Sequence, residues 1–348
     1  MELGLFFEFP RRPQDTEAEA FEESFAQIDM AEDLGFDSIW LAELHFSPER
    51  AVLSSPLTVV SAIAGRTKRI RIGTAVEVLP LANPIRLAEE VATVDHICRG
   101  RFELGIGRSG APRGYIGYNI PYTESRARFY ETLEVLKMAW TQENFTHHGE
   151  FFDYDDVCLV PKPFQKPHPP IRNAATSAGT FVFSAKKGMP IFIGLRGVLG
   201  SLKERVQTYQ DTWKSEGQPG EPQVSLRVPV YVAETMERAH SDPEESAMNF
   251  YKHLVPNLGD PVPGLSEEEN REREMRAQRM KNTTYKEVLE KDGAFGTPEV
   301  VAERLLELKE TFGLTCIIAE PNFGGIIPRD RVENSMRLLA EKVAPKLR

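Results

Sequence analysis

The sequence predicts an α/β fold of one kind: a closed (β/α)₈ or TIM barrel with insertions. Strand-like and helix-like segments alternate from the first residues to the last. Roughly eight such pairs can be placed along the chain, the number that closes a barrel. No Pro/Gly/Ser linker or break in composition divides its 348 residues, a length that suits two ordinary domains or one large barrel. Residues 1–348 are therefore read as a single domain.

The elements follow from periodicity and capping. Leu3 to Phe9 reads as a buried strand, and Thr16 with Glu19 makes a capping box for a helix whose Phe21, Phe25 and Ile28 share one face. Gly35 ends that helix. Strands at 36–42, 70–79 and 101–106 then alternate with helices near 55–66, 84–97 and 124–142. The later half supplies strands at 170–175, 189–195 and 226–233 and helices near 180–187 and 200–216. Thr297-Pro298-Glu299 opens a helix carrying Val301, Leu305, Leu308 and Phe312, and Gly313 stops it. Thr315 to Ala319 is the last strand, and a closing helix places Val332, Met336, Leu339 and Val343 on one stripe.

Two stretches interrupt the alternation. Residues 143–169, with Phe151-Phe152-Asp153-Tyr154 and a run of prolines from Pro161 to Pro170, cannot be regular helix and are expected to leave the barrel and cover one of its ends. Residues 256–292 are highly charged: Ser266 and Glu269 form a capping box, and Glu267/Arg271, Glu269/Arg273 and Glu272/Arg276 are spaced four apart. That pattern reads either as a solvated helix or, given its length and its place before the last βα unit, as a mobile lid.

Composition narrows the partners. With 42 Lys plus Arg against 52 Asp plus Glu, the net charge of −10 disfavours nucleic acid and anionic membranes, leaving a small-molecule substrate. No apolar run is long enough to span a bilayer, and Glu2 and Arg11-Arg12 bracket too short an apolar stretch for a signal peptide. Cys98, Cys158 and Cys316 are far apart and lack metal-ligand spacing, as expected of reduced thiols in a cytoplasmic protein.

Chemistry belongs where strands end, because the C-terminal tips of a parallel barrel carry its active-site loops. The tip of the second strand runs Phe36-Asp-Ser-Ile-Trp-Leu-Ala-Glu-Leu-His-Phe46, an apolar run closing on Glu43 and His45. Gly105-Ile-Gly107-Arg-Ser-Gly110 matches a dinucleotide fingerprint, but Pro112 and Gly114 follow where a helix should open, and the motif lies in the fourth βα unit instead of the first. What survives is a set of glycines that let a ligand approach the backbone, with Arg108 as a phosphate or flavin contact. Thr176-Ser177-Ala178-Gly179-Thr180 runs from a strand end into a helix start and offers hydroxyls and free N–H groups, either to an anion or as ordinary capping. His147-His148-x-Glu150 lacks further ligands, so the pair is read as surface residues and no metal is expected.

Together these pieces resemble the bacterial luciferase-like family of flavin-dependent monooxygenases. The resemblance is carried by Gly35 to Phe46, Ile72-Gly-Thr-Ala-Val-Glu-Val-Leu-Pro80, Asn83-Pro-Ile-Arg86, Asp95 to Gly107, Pro161 to Ile171 and Gly296-Thr-Pro298. It implies a luciferase-like barrel holding reduced FMN at its strand tips, supplied by a separate NAD(P)H:flavin reductase, and reacting it with O₂; a homodimer is also expected. Arg108, Ser177, Ala178, Gly179 and Thr180 fall where relatives bind the flavin phosphate, and Ala75-Val76 matches the family's non-prolyl cis peptide beside the ring. His45 is the implied proton-carrying residue, with Glu43 orienting it, and Leu44, Tyr115 and Tyr118 are expected to shape the substrate pocket. One departure counts: the luciferase branch has two consecutive histidines after the glutamate, whereas Leu44 precedes His45 here. Long-chain aldehyde oxidation is accordingly not the expected reaction. The alternatives are an F420-dependent oxidoreductase on the same barrel and a non-catalytic flavin-binding protein.

Overall fold

The computed structural model describes residues 1–195 and 199–348. Eight parallel strands close on themselves: β1 (Glu2–Phe7), β2 (Ser38–Leu41), β3 (Arg71–Thr74), β4 (Phe102–Gly107), β5 (Ile171–Ala174), β6 (Ile191–Gly194), β7 (Val224–Val232) and β8 (Cys316–Glu320). Each pairs with the next, β6 with β7 included, and β8 returns to β1 through Glu2 opposite Cys316, which makes the sheet a barrel. Around it lie α1 (Glu17–Leu34), α2 (Pro56–Arg66), α3 (Pro84–Cys98), α4 (Ser125–Thr141), α5 (Ala178–Lys186), α6 (Leu199–Ser215), α7 (Pro298–Phe312) and α8 (Arg329–Leu338).

The local signals work as their chemistry requires. Thr16 and Glu19 form a reciprocal capping box, and Gly35 and Gly313 end α1 and α7 in the left-handed region that glycine adopts without strain. The closing stripe of Val332, Met336, Leu339 and Val343 is buried.

Inside the barrel, charge is paired wherever it is buried. Near the strand starts Arg172 bonds Glu103 at 3.1 Å and Ser225 at 2.9 Å, with Arg71 on Glu103 at 2.7 Å. Trp40 and Phe192 then plug the middle edge to face, 4.9 Å apart. Nearer the strand ends Arg227 lies 3.5 Å over the Phe6 ring, bonds Glu320 at 2.8 and 3.0 Å and Glu8 at 2.9 Å, and Glu8 also meets Arg50. Buried ions are tolerated in such sets because each has its counterion and hydrogen bonds.

The structure departs from the sequence reading over 70–79 and in the ion pairs of 256–292, and it adds detail over 143–169. The strand read over 70–79 is broken: β3 stops at Thr74, Ala75-Val76 is a cis peptide, and Glu77–Val78 pairs instead with Ile106 and Gly107 of β4. Residues 143–169 contain an antiparallel hairpin, Phe145–His148 with Asp153–Val157, and their proline-rich part is tied to the strand-start side, where Gln165 donates to Asp95 of α3 and to the Phe102 carbonyl at the head of β4. In 256–292 the helix Glu267–Lys281 is present with its Ser266/Glu269 capping box, but the expected ion pairs four apart are not formed among the described residues. Glu269 is engaged by the cap, and Arg273 turns to the Gly110 carbonyl.

Candidate active site at the strand tips

The tip of β2 builds the centre of the site. Ala42 continues the ladder by donating to Phe7, and Leu44 N–H is pinned by the Leu53 carbonyl, so Glu43 and His45 leave an extended segment on the same side. His45 Nε2 and Glu43 Oε1 are 2.6 Å apart, while Glu43 Oε2 accepts the Val78 N–H at 2.6 Å. Both side chains are more than nine-tenths buried. A carboxylate cannot donate, so the Nε2 proton lies towards Glu43 and the free lone pair sits on Nδ1. That nitrogen faces the exposed Tyr118, whose hydroxyl is 3.4 Å away and whose ring stands perpendicular at 5.0 Å.

Behind this pair lies the turn after β3. Leu44, Ala75 and Val76 pack on the interior cluster of Phe6, Trp40, Ala42, Phe192 and Ile318, forming an apolar wall beside His45. Gly105 and Gly107 of the fingerprint-like motif make room for this wall, whereas Gly110 has open space around it. A Cβ on Gly105 would lie 1.8 Å from the Thr74 carbonyl oxygen, and one on Gly107 would lie 2.4 Å from Val76 Cγ2. Pro112, read as a break, is the first residue of a six-residue helix, Pro112–Gly117.

Two further tips carry positive charge. Arg108, after β4, bonds Ser125 Oγ at 2.9 Å and lies 5.7 Å from the Tyr122 ring, which Arg273 flanks at 5.5 Å. Tyr115 is 1 % exposed and gives its hydroxyl to the Arg108 carbonyl, so it braces this loop and offers a substrate no surface. After β5, the Ser177 hydroxyl bonds the Thr180 hydroxyl at 2.8 Å instead of capping α5, so the side chain of the N-cap residue bonds no backbone N–H of the helix's first turn. Gly179 has open space where a side chain would stand, and Arg205 reaches back from α6 to the Thr176 carbonyl at 2.7 Å. Among the described residues Arg108, Arg205 and Arg273 meet no carboxylate within ion-pair distance.

The structure thus brings Glu43, Leu44, His45, Ala75, Val76 and Tyr118 together, with Arg108 and the 177–180 turn on the tips of β4 and β5. Sequence reasoning missed Glu77, Arg205 and Arg273. Only Glu77 left a signal, a lone carboxylate in the apolar run Ala75-Val-Glu-Val-Leu79. His147 is largely buried against Glu131 at 3.2 Å, so of the two adjacent histidines only His148 is a surface residue. No group of side chains suited to a metal ion occurs among the described residues.

An αβ barrel with its unneutralised and titratable groups gathered at the strand tips has the architecture of a barrel enzyme. The luciferase-like monooxygenase model matches residues 1–315, and the chain belongs to that family. The y4vJ protein of Sinorhizobium fredii is 34 % identical over 214 residues, a match that spans 60 % of each chain. The oxygenase component of the flavin-dependent trigonelline monooxygenase of Acinetobacter baylyi is 27 % identical over 266 residues, 73 % of this chain and 71 % of that one. Among solved structures, monooxygenase RslO1 of Streptomyces bottropensis superposes with a TM-score of 0.84 at 23 % identity over the whole of both chains. An F420-dependent secondary alcohol dehydrogenase shares the fold at a TM-score of 0.76 and 17 % identity, covering 100 % of this chain and 99 % of that one, so the barrel by itself does not select the cofactor.

Proposed function

We propose that the chain is the oxygenase component of a flavin-dependent monooxygenase, which takes reduced FMN from a separate NAD(P)H:flavin reductase and oxygenates a small organic substrate with O₂. The observation that carries this reading is the uncapped start of α5, with Ser177 and Gly179 exposed, Thr180 half-buried and Arg108 on the neighbouring tip meeting no carboxylate among the described residues. In a chain with ten more acidic than basic residues, an arginine without a counterion on one tip and an uncapped helix start on the next suit an anionic ligand such as the FMN phosphate. Ser177, Ala178, Gly179, Thr180 and Arg108 hold that phosphate, and Ala75 and Val76 support the ring.

When bound, the reduced flavin supplies the electrons that activate O₂. The protein's part is then positional. Leu44, Ala75 and Val76 keep water from the reacting region, Glu43 fixes the orientation and tautomer of His45, and His45 Nδ1 takes or gives the proton that the oxygen transfer requires. Tyr118, exposed beside that nitrogen, frames the substrate's entry. The oxygenase-component relative supports a reductase partner. The three unpaired cysteines fit the cytoplasm, and no helix among the described residues is long and apolar enough to cross a membrane. A homodimer completes the reading and is checked by sedimentation.

Anaerobic titration tests the cofactor. Reduced FMN should bind in the micromolar range or tighter, on the order of 8 kcal/mol. A preference for reduced F420, or no flavin binding, overturns the proposal, and flavin binding without oxygen-dependent consumption of any substrate reduces the protein to a flavin carrier.

A further inference from the structure

Glu77 is the one site-lining carboxyl that nothing above employs. It sits on the two-residue strand Glu77–Val78, is 9 % exposed, and its Oε2 is shut from solvent with no hydrogen-bond partner. Its neighbour Val78 gives its amide to Glu43, so two carboxyl groups flank one peptide unit. They are not equivalent. Glu43 receives the Val78 N–H and the His45 ring, two bonds that favour a carboxylate, whereas Glu77 meets no cation within ion-pair distance among the described residues.

We propose that Glu77 is a third member of the His45 site, a positioning residue that keeps its proton at neutral pH behind Glu43, so that Glu43 is the single anion presented to the imidazole. A buried carboxylate without donors is costly, and two neighbouring carboxyls do not both ionise; the proton stays on the one with fewer donors. Burial, and then the charges of Glu43 and Glu90, push the Glu77 carboxyl well above the usual carboxylate range. Among the described residues, the charged and titratable groups that face it are Glu43 from the β2 tip, with His45 bonded to it, and Glu90 from α3, with its partner Arg86; Tyr115 lies on the far side of Glu43, and β4 pairs through the apolar Ile106 and Gly107. The consequence for the dyad is definite. With Glu77 neutral, the imidazole meets a single anion, Glu43; with both ionised, a second negative charge would lie behind it. The catalytic use of this arrangement rests on the proposed oxygenase function, but the proton on Glu77 is a property of the protein alone.

Cofactor-free protein therefore provides the test. Infrared spectra at neutral pH should show a protonated-carboxyl C=O band that Glu77→Gln removes. Melting temperatures give a second readout. Above the ordinary glutamate range, near pH ~4.3, the unfolded chain has released this proton while the folded one retains it, so the parent loses stability as pH rises until Glu77 ionises in the fold. Glu77→Gln has no such proton, and its melting advantage should widen as the pH rises from about 5 to neutral, with a slope equivalent to about one proton. Should the amide variant fail to fold, Glu77→Leu removes the same proton without adding a polar atom. A parent lacking the band, a band that survives in the variants, or a melting difference flat with pH overturns the proposal. None of these results depends on flavin, so the titration with reduced FMN succeeds or fails independently.

Discussion

His45 presents its Nδ1 to the mouth only because Glu43 takes the other nitrogen, and this division of labour is what a substitution can separate. Glutamine at 45 retains a polar side chain of similar reach but cannot move a proton at neutral pH. His45→Gln should therefore leave FMN affinity nearly intact while product formation falls about 10²-fold or more, with hydrogen peroxide yield rising in step. Equal coupling of oxygen to product in variant and parent would make His45 structural. Arg108→Ala and Thr180→Ala address the phosphate end. Arg108 makes one hydroxyl bond and Thr180 one, so neither supplies core volume. Loss of the charge-assisted contact should cost about 1.5–3 kcal/mol of flavin binding, and loss of the hydroxyl less. Unchanged affinity in both, with normal melting, would mean that the turn at 177–180 is only a helix start. At this scale, the site residues legible in the sequence were those whose chemistry is local: a histidine two places after a glutamate at a strand's end, and hydroxyls clustered before a helix. Arg205, Arg273 and Glu77 were not, because their roles depend on groups far away in the chain: the Thr176 carbonyl, the Gly110 carbonyl and Glu43.

At the level of elements, capping chemistry located helices well because its partners are three residues apart, as in Thr16 with Glu19 and Ser266 with Glu269. The same helix shows where pattern reading fails. Spacing put Glu269 beside Arg273, but the cap folds Glu269 back onto Ser266 and Arg273 turns to the Gly110 carbonyl instead. Arg273 was thereby freed for the loop after β4, and the helix Glu267–Lys281 is tied to the barrel mouth through it. If this segment is a closing lid, limited proteolysis should cut first within 256–292, flavin with substrate should slow the cut, and Arg273→Ala should weaken that protection. First cleavage elsewhere, or a rate indifferent to ligand, counts against a lid. The break in the strand read over 70–79 has a different cause. Gly105 admits the Thr74 carbonyl so closely that the chain can cross from β2 towards β4, a contact that no periodicity encodes. Gly105→Ala places a methyl against backbone that cannot yield, and should destabilise by about 3 kcal/mol or more, read as a lowered Tm.

Barrel closure is a property of the whole chain, and it was legible because it rests on counting: eight buried strands, each with a helix to cover it, leave no edge in a parallel sheet. What the strand sequences concealed was the barrel's interior. Strands buried on both faces read as apolar runs, yet Arg227 lies in the middle of β7 with Glu8 from β1's tip and Glu320 from β8 folded onto it, three strands joined by one guanidinium. Such a set is stable only when complete. Removing both charges of a buried pair can be neutral, whereas removing one leaves the other without a counterion. Arg227→Met should therefore cost about 3–5 kcal/mol, most of it from the abandoned Glu320, since Glu8 retains Arg50. The double variant Arg227→Met with Glu320→Leu should recover much of that loss. Denaturant unfolding of the parent, the single and the double variants reads the difference directly. A single variant as stable as the parent would show that the barrel's stability does not depend on this charge set, and a double variant no better than the single would show that the loss does not come from the abandoned Glu320.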